Sequence, residues 1–554
     1  MDEKYIVKSI LEADSDITII SHADGISYFE LFGSEYGIRY FPEKERTKFP
    51  AIVARNYDKY DFPHIMTFEL TINGDICRCI CLYEDEKIVK YLYSYEEKII
   101  ETLRRLKALL QLTEREIETE FQKEFLHYWN GEAKAEVDVY LNRERCFQRL
   151  NLYQDKKEES YFRFVSSSIK LNNVKAYRHV ANVEGFYVPI VDNRRVFPPV
   201  KGKSWTMKEV MNIIDGKPYS RIRRDTFDKI LLEKSKAAKI LLIFEMIVEQ
   251  QSYNFGLLVE FCNQTKDNLM SRLKKCVQKI TPCVVNRCDY YFLNKLIGND
   301  TLLIDKKVAV VGCGSLGSYV AEDLVKAGVK NLFLYDSDRV TYANILRHKA
   351  ILEWEGYPKV VYMKSRLESI HPEIFVEIKG NMLADTLKDD MEKYDLIIFT
   401  VGSSDVQLAL NRVFIEEGYN KLVIYVWLEA GGTDSHILIV YYSKKGCFEC
   451  LFTDSSGKLV NNKVNRLSDE RIERYTLKNG CGATRVAYET SILLRTTSVL
   501  LDIIQKIFNN EVNENSLINI SPIKVVNNGN SFVERGCKCC GNRNETKMHQ
   551  DDPS

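Results

Sequence analysis

The chain has 554 residues and a mass of 64.4 kDa, too long for one ordinary domain. Lys plus Arg and Asp plus Glu are both 78, so the formal net charge is +0, which excludes a chain-wide basic footprint and argues against direct nucleic-acid binding. The 45% hydrophobic and 28% charged residues are the balance of a soluble globular protein, no apolar run is long enough to span a bilayer, and Met1-Asp2-Glu3-Lys4 starts no secretory signal; a cytoplasmic protein with no membrane partner is expected.

Residues 1–131 read as a small α/β unit. Alternating apolar stretches predict strands over Ile17–Ile20, Ile26–Phe32, Ile65–Ile72 and Ile76–Tyr83, with Asn73-Gly74 as a turn. A helix follows with Ile99, Leu103, Leu106 and Leu110 on one face. Residues 132–285 mix charged runs such as Lys156–Ser160 with a helical pattern over Phe227–Gln250 and a strand-like Phe255–Phe261, and they suggest no chemistry. Residues 286–540 alternate strand and helix: Val308–Val311, Ser315–Ala327, Leu332–Tyr335, Leu396–Val401, and a long helix over Tyr488–Ile507. That alternation predicts a mostly parallel, doubly wound α/β sheet. The polar tail, 541–554, is expected to be disordered.

Fifteen cysteines in a long chain of this composition point to metal, catalysis or burial, and their grouping matters more than their number. Cys77, Cys79 and Cys81 alternate along one predicted strand. Cys447-Phe448-Glu449-Cys450 and Cys537-Lys538-Cys539-Cys540 are two CxxC knuckles far apart in sequence. Four thiolates at tetrahedral reach form a closed structural Zn²⁺ site, so Cys447, Cys450, Cys537 and Cys540 are the expected metal ligands. Cys539 is an alternative fourth ligand, and buried free thiols or a redox pair are the competing readings. Cys481 stands alone in Asn479-Gly480-Cys481-Gly482-Ala483-Thr484.

Gly312-Cys313-Gly314-Ser315-Leu316-Gly317 directly follows a predicted strand and opens a helix. Gly312, Gly314 and Gly317 allow the tight turn and let backbone N–H groups approach phosphate at the positive helix end. Asp336, closing the next strand, is placed to hold ribose hydroxyls. Alone, this describes an NAD-binding dehydrogenase equally well. Beyond it, however, come Asp338, Asn344, Arg347 and His348, and then Lys359 after Gly356-Tyr357-Pro358. Hydride transfer gives no reason to aim an Arg and a Lys past the ribose, whereas a triphosphate does, because charge builds on its oxygens as it breaks.

On these residues the segment from about Arg287 to Cys540 resembles the HesA/MoeB/ThiF superfamily of ubiquitin-activating-type enzymes. The resemblance implies a Rossmann-like adenylation domain with a parallel-rich sheet that uses ATP and Mg²⁺. It further implies ribose binding by Asp336, contacts from Asp338, and phosphate contacts from Asn344, Arg347 and Lys359. Two positions depart from the pattern. Gly402-Ser403-Ser404-Asp405 replaces the usual Asp after the fourth strand, which leaves the Mg²⁺ ligand open, and the upstream basic element reads Arg287-Cys288-Asp289 followed by Lys295. Enzymes of this type carry a catalytic cysteine in a glycine-flanked crossover loop, which implies that Cys481 takes up the first thioester.

The order Phe62-Pro63-His64-Ile65, Asn73-Gly74-Asp75, Ile80-Cys81-Leu82 and then helices resembles a divergent α+β ubiquitin-conjugating-enzyme fold. That implies a second acyl-carrying thiol at Cys81, with Cys77 the runner-up. The middle region is then a linker or a degenerate adenylation-like half. Together the parts resemble the activating/conjugating fusions of bacterial type II CBASS antiphage systems and related ubiquitin-like operons. In these, a ubiquitin-like protein or a cGAS-like nucleotidyltransferase is activated and joined to a target amine, and a homodimer is implied. A sulfur-carrier-activating enzyme, a decayed nucleotide-binding scaffold and, more distantly, an NAD oxidoreductase are the other readings of the same residues.

Overall fold

The computed structural model describes residues 3–541 except 24, 42–47, 56, 58–61, 67–68, 73, 84–88, 159–161, 191–195, 197–204, 216–235, 263–266, 381–387, 433, 466–472 and 479–483. Two compact units emerge, one of Met1–Ser168 with Ala176–Arg287, the other of Ile169–Lys175 with Cys288–Ser554.

The first unit begins with helix α1 (Glu3–Ala13) and the strands β1 (Ile17–Ala23), β2 (Ile26–Leu31), β3 (Ser34–Arg39), β4 (Ala51–Arg55), β5 (Leu70–Ile72) and β6 (Asp75–Ile80). They pair antiparallel in the order β1-β2-β3-β4-β6-β5. Among the described residues of the strand expected over Ile65–Ile72, Leu70–Ile72 form β5 and Ile65 makes an isolated bridge to Ile80, while Thr67 and Phe68 lie outside the described residues. Helix α2 (Tyr95–Leu110) starts at Ser94, which accepts the N–H of Glu97 while Glu97 returns the bond, a capping box that satisfies two otherwise unpaired donors. As its spacing predicts, Ile99, Leu103 and Leu106 of α2 are buried, and they pack with Phe29, Ile38 and Ile52 of the sheet. Helices α3 (Glu114–Lys123) and α4 (Phe125–Glu132) follow. Phe125 and Trp129 of α4 belong to the next core, where the indole N–H of Trp129 donates to the Cys283 carbonyl at 2.9 Å.

The middle region, left by its sequence between a linker and a degenerate adenylation-like half, is a closed barrel. Its strands are β7 (Ala135–Tyr140), β8 (Gln148–Asp155), β9 (Phe162–Ser166), β10 (Tyr177–Pro189), β11 (Lys239–Val248), β12 (Gln251–Phe261) and β13 (Val277–Arg287), in the order β10-β11-β12-β13-β7-β9-β8. Two short helices, α5 (Met207–Asp215) and α6 (Leu269–Lys275), accompany them. The helical pattern read over Phe227–Gln250 is overturned for its second half, because Lys239–Val248 is strand β11. The physical reason is two-sided burial: all but Lys239 and Ile247 of this Ile-rich run are buried, and a run buried on both faces carries no period to tell strand from helix.

The second unit carries α7 (Tyr290–Leu296), β14 (Lys307–Val311), α8 (Ser315–Lys326), β15 (Asn331–Tyr335), α9 (Lys359–Ile370), β16 (Phe375–Gly380), β17 (Leu396–Phe399), α10 (Ser404–Glu416), β18 (Leu422–Leu428) and β19 (Ser435–Tyr441). A hairpin of β20 (Thr476–Lys478) and β21 (Thr484–Val486), helix α11 (Thr490–Phe508), β22 (Ser516–Ile520), β23 (Val525–Asn527) and the single turn α12 (Lys538–Gly541) complete it. The eight-stranded sheet runs β16-β15-β14-β17-β18-β19-β22-β23. Strands β16 through β18 are parallel, as expected, but β19, β22 and β23 extend the sheet antiparallel, so it is mixed. The strand order reverses direction at β14, between β15 and β17, the place where open α/β sheets leave a crevice at the carboxyl ends of their strands. Among the described residues no helix is long and apolar enough to cross a membrane.

Candidate functional site

The glycine loop occupies that crevice. Gly312 has φ +92°, a conformation that favours glycine, and donates its N–H to the Tyr335 carbonyl at 2.7 Å. Gly317 is required by close packing, since a Cβ there would lie 1.8 Å from the Gly312 carbonyl oxygen and 2.6 Å from Thr400 Oγ1. At Gly314, the residue that caps α8, a Cβ would meet nothing within 4 Å, so the loop is open on that side. The positive end of α8 therefore faces a gap where an anion can approach backbone N–H groups.

Asp336 follows β15 and closes the loop from the other side. Its Oδ2 accepts the Cys313 N–H at 2.7 Å and its Oδ1 the Asp338 N–H at 2.7 Å. Each oxygen keeps a second lone pair, so the carboxylate is fixed in place yet can still accept hydroxyl hydrogens. Lys359, buried at the start of α9, donates to Asp338 Oδ2 at 2.7 Å, and that carboxylate is 69% exposed. Two residues singled out by the sequence thus meet each other, with two ammonium hydrogens left over. Asn344 Oδ1 accepts from Thr341 N (3.2 Å) and Oγ1 (2.9 Å), so what it can offer a ligand is its amide nitrogen. Arg347 is different. Its Nε is buried with no hydrogen-bond partner among the described residues, and its guanidinium lies 5.8 Å from the ring centre of Tyr488. A buried cationic donor without a partner is costly unless a ligand answers it.

Two supporting residues carried no assigned role in the sequence. His348 is buried, and its Nδ1 accepts the Ala350 N–H at 2.9 Å, so the proton sits on Nε2, which donates to the Cys313 carbonyl at 2.7 Å. Burial, followed by the charge of Lys359, lowers its pKa against the counteracting bond to Cys313, which favours the neutral ring that this pattern requires. Thr400, one residue past β17, donates Oγ–H to the Gly312 carbonyl at 2.6 Å. Cys313 itself is fully buried and its thiol is pushed well up by that burial, so it is no nucleophile. Ser403 accepts from Val406 N–H to cap α10, and Asp405 is exposed in that helix's first turn.

The two CxxC knuckles meet. Cys447, Cys450, Cys537 and Cys540 are all buried, and their sulfurs lie within 4.8 Å of one another, with Cys447 and Cys537 at 3.9 Å and Cys450 and Cys540 at 3.5 Å. A tetrahedral ion with bonds of about 2.3 Å needs sulfurs about 3.8 Å apart, so the spacing fits zinc. Cys539, the alternative ligand, lies outside this group and accepts from Asn411 Nδ2 at 3.3 Å. The same Asn411 accepts from the Tyr442 hydroxyl and the Phe448 N–H, tying α10 to the first knuckle.

The candidate thiols separate by exposure. Cys77 is buried, Cys79 is intermediate and Cys81, just past β6, is exposed. Burial also raises the Cys77 and Cys79 pKa values. Cys481 lies outside the described residues, but its flanks are described. Strands β20 and β21 pair through Thr476 with Val486 and Lys478 with Thr484, and Gly431 N–H donates to the Ala487 carbonyl at 2.7 Å.

The ThiF family model matches residues 297–530. Ubiquitin-like modifier-activating enzyme 5 of Caenorhabditis briggsae is 30% identical over 165 residues, covering 26% of this chain and 36% of that protein. The ATP-dependent ubiquitin transferase-like protein Cap2 of Escherichia coli (strain TW11681) is 23% identical over 379 residues, 62% of this chain and 61% of that protein. Cap2 of Pseudomonas aeruginosa (strain BWHPSA011 / Pa011) is 26% identical over 294 residues, half of each. These matches thus span less than two thirds of each relative's own length. Among solved structures, E. coli MccB with ATP aligns with TM-score 0.34 and 18% identity over 44% of this chain and 68% of that one. Residues 297–530 of this chain are a ThiF family domain.

Proposed function

We propose that the chain uses ATP to adenylate the C-terminal carboxylate of another polypeptide and passes the acyl group through Cys481 and then Cys81 to a target amine. The observation that carries this reading is Arg347, a cation whose buried Nε has no partner among the described residues and whose backbone carbonyl accepts the hydroxyl of Ser315 in the glycine loop at 2.6 Å. The polyphosphate of ATP answers that cation and, unlike the diphosphate of a dinucleotide, gains charge on its leaving oxygens as the chain breaks.

In the proposed reaction Asp336 holds the ribose, Gly312, Gly314 and Gly317 admit the phosphates, and Asn344, Arg347 and Lys359 contact them. The substrate carboxylate attacks the α-phosphorus, the bond to the bridging oxygen breaks and pyrophosphate leaves. Arg347 and Lys359 balance the charge that builds on it. Among the described residues the only cluster within metal reach is the cysteine quartet. Mg²⁺ would offset charge on the triphosphate, and the exposed Asp405, the carboxylate that follows the fourth parallel strand, would be its protein ligand. Zn²⁺ on Cys447, Cys450, Cys537 and Cys540 would staple the knuckles without touching the reaction. The thiolate of Cys481 would displace AMP from the acyl adenylate, and exchange to Cys81 would follow, a thiolate being both nucleophile and leaving group. Supporting Cys81 over Cys77 is its exposure.

The Cap2 relatives, ATP-dependent ubiquitin transferase-like proteins by name, support a ubiquitin-like protein as the activated polypeptide; a cGAS-like nucleotidyltransferase in that place and a role in antiviral defence rest on the sequence resemblance alone. A cytoplasmic homodimer completes the reading. The test is ATP–pyrophosphate exchange with candidate polypeptides. Cys481→Ala should keep exchange and lose every thioester, while Cys81→Ala should keep the first thioester and lose the conjugate. Normal conjugation by either variant refutes its assignment.

A further inference from the structure

His64 precedes the chain's approach to Cys81 and adopts φ +68°, a left-handed conformation that a side-chain-bearing residue holds only when its surroundings impose it. The surroundings here are two carboxylates from the end of α3. His64 N–H donates to Glu124 Oε2 at 2.8 Å, its Nδ1 lies 2.7 Å from Glu124 Oε1, and its Nε2 lies 3.3 Å from Glu120 Oε2. Glu124 also accepts from the Tyr128 hydroxyl of α4, and Glu120 pairs with Lys123. On its other side the His64 carbonyl accepts the N–H of Cys81 at 2.8 Å. Next to it Ile65 bridges Ile80, and Met66 N–H donates to the Cys79 carbonyl at 2.8 Å. The strand end that carries the exposed thiol therefore lies along a turn whose shape is held from a helix by one imidazole.

We propose that His64 is a positioning residue for Cys81: clamped by Glu120 and Glu124, it holds the left-handed turn that fixes the backbone from which the Cys81 thiol projects. This rests on the reading of Cys81 as an acyl carrier. Both ring nitrogens face carboxylate oxygens, so the clamp is complete only in the imidazolium form. Burial pulls the imidazole's pKa down, but the hydrogen bond and charge of Glu124 and then Glu120 outweigh it, and the net direction is upward. Glu124 goes the other way: its hydrogen bond to His64 overcomes burial and lowers it. The charged and titratable groups around the ring are thus Glu120 and Glu124, with Lys123 and the Tyr128 hydroxyl on those carboxylates. For a raised imidazole the contribution is fully present below its ordinary value and is lost as the pH rises through the raised one. Positioning of Cys81 therefore weakens toward alkaline pH, opposite to the gain in thiolate.

The test is hydrogen exchange at the Cys81 amide in the full chain from about pH 6 to about pH 9, corrected for the intrinsic rate. Alkylation of Cys81 by iodoacetamide is followed in parallel, with the exposed Cys262 as reference. Wild type should lose roughly tenfold in amide protection over that range, and H64Q should be low and flat throughout. E120Q should move the midpoint to lower pH while leaving the Glu124 contact, and it carries the test if H64Q does not fold. Wild-type protection in H64Q, or an unmoved midpoint in E120Q, overturns the proposal. If the amide behaves as expected but Cys81→Ala conjugates normally, the acyl-carrier reading fails and the clamp stands.

Discussion

The sulfurs of Cys447, Cys450, Cys537 and Cys540 and the sulfur of Cys81 belong to the same residue type in opposite settings. The four are buried within 4.8 Å of one another, whereas Cys81 is exposed at a strand end. The first arrangement can close a shell around an ion and leaves nothing for a substrate. The second can meet an acyl donor but contributes little packing. Burial, more than sequence spacing, separates these thiols, and Cys77, in the same strand as Cys79 and two turns of the pleat from Cys81, falls on the buried side.

The largest effect is expected at the quartet. Cys450→Ser should abolish stoichiometric zinc, read by elemental mass spectrometry, and should melt the second unit early, since structural zinc sites carry apparent binding energies of about 10 kcal/mol. A variant that melts like wild type would make the quartet four buried thiols. Gly317→Ala comes next, because a Cβ 1.8 Å from a carbonyl oxygen forces the loop apart. A loss above about 3 kcal/mol in denaturant unfolding, together with loss of ATP binding, is expected.

Burial also sets the third effect. Glu373 is buried, and that burial, opposed by the Tyr290 N–H and reinforced by Asp289, pushes its carboxyl up to about 7. A folded-state pKa above the unfolded one gives a contribution that is complete below the ordinary carboxyl value and lost as the pH rises toward the raised one. Stability of the second unit should fall by about 3 kcal/mol across that window, and Glu373→Gln should remove this slope. At the small end, Cys77→Ala should cost about 1 to 2 kcal/mol and Cys81→Ala less than about 0.5, while iodoacetamide should label Cys81 long before Cys77. Equal labelling would erase the distinction between them.

The second unit was the more legible in sequence. Gly312 to Gly317 between a strand and a helix, Asp336 after the next strand, and the paired CxxC knuckles each have a local physical requirement, and each sits where that requirement sends it. What sequence missed there is contact at long range: His348 and Thr400 both hold the glycine loop by its carbonyls, 35 and 88 residues away, and nothing local marks them. The antiparallel extension from β19 was equally hidden, since Ser435–Tyr441 is as apolar as a parallel strand. In the first unit the barrel was unreadable because strands such as β11 are buried on both faces and lose their alternation. The His64 clamp was invisible for another reason, as Glu120 and Glu124 are 56 and 60 residues from the imidazole they hold.

On the proposed reading, Arg347, held to the glycine loop through Ser315, answers a polyphosphate. Calorimetry of the purified full chain with ATP and Mg²⁺, and separately with NAD, tests it most directly. ATP should bind, Arg347→Ala should weaken that binding by about 3 kcal/mol or more than a hundredfold, and NAD should give no heat. Uptake of NAD with no affinity for ATP, or unchanged ATP affinity in Arg347→Ala, would contradict it.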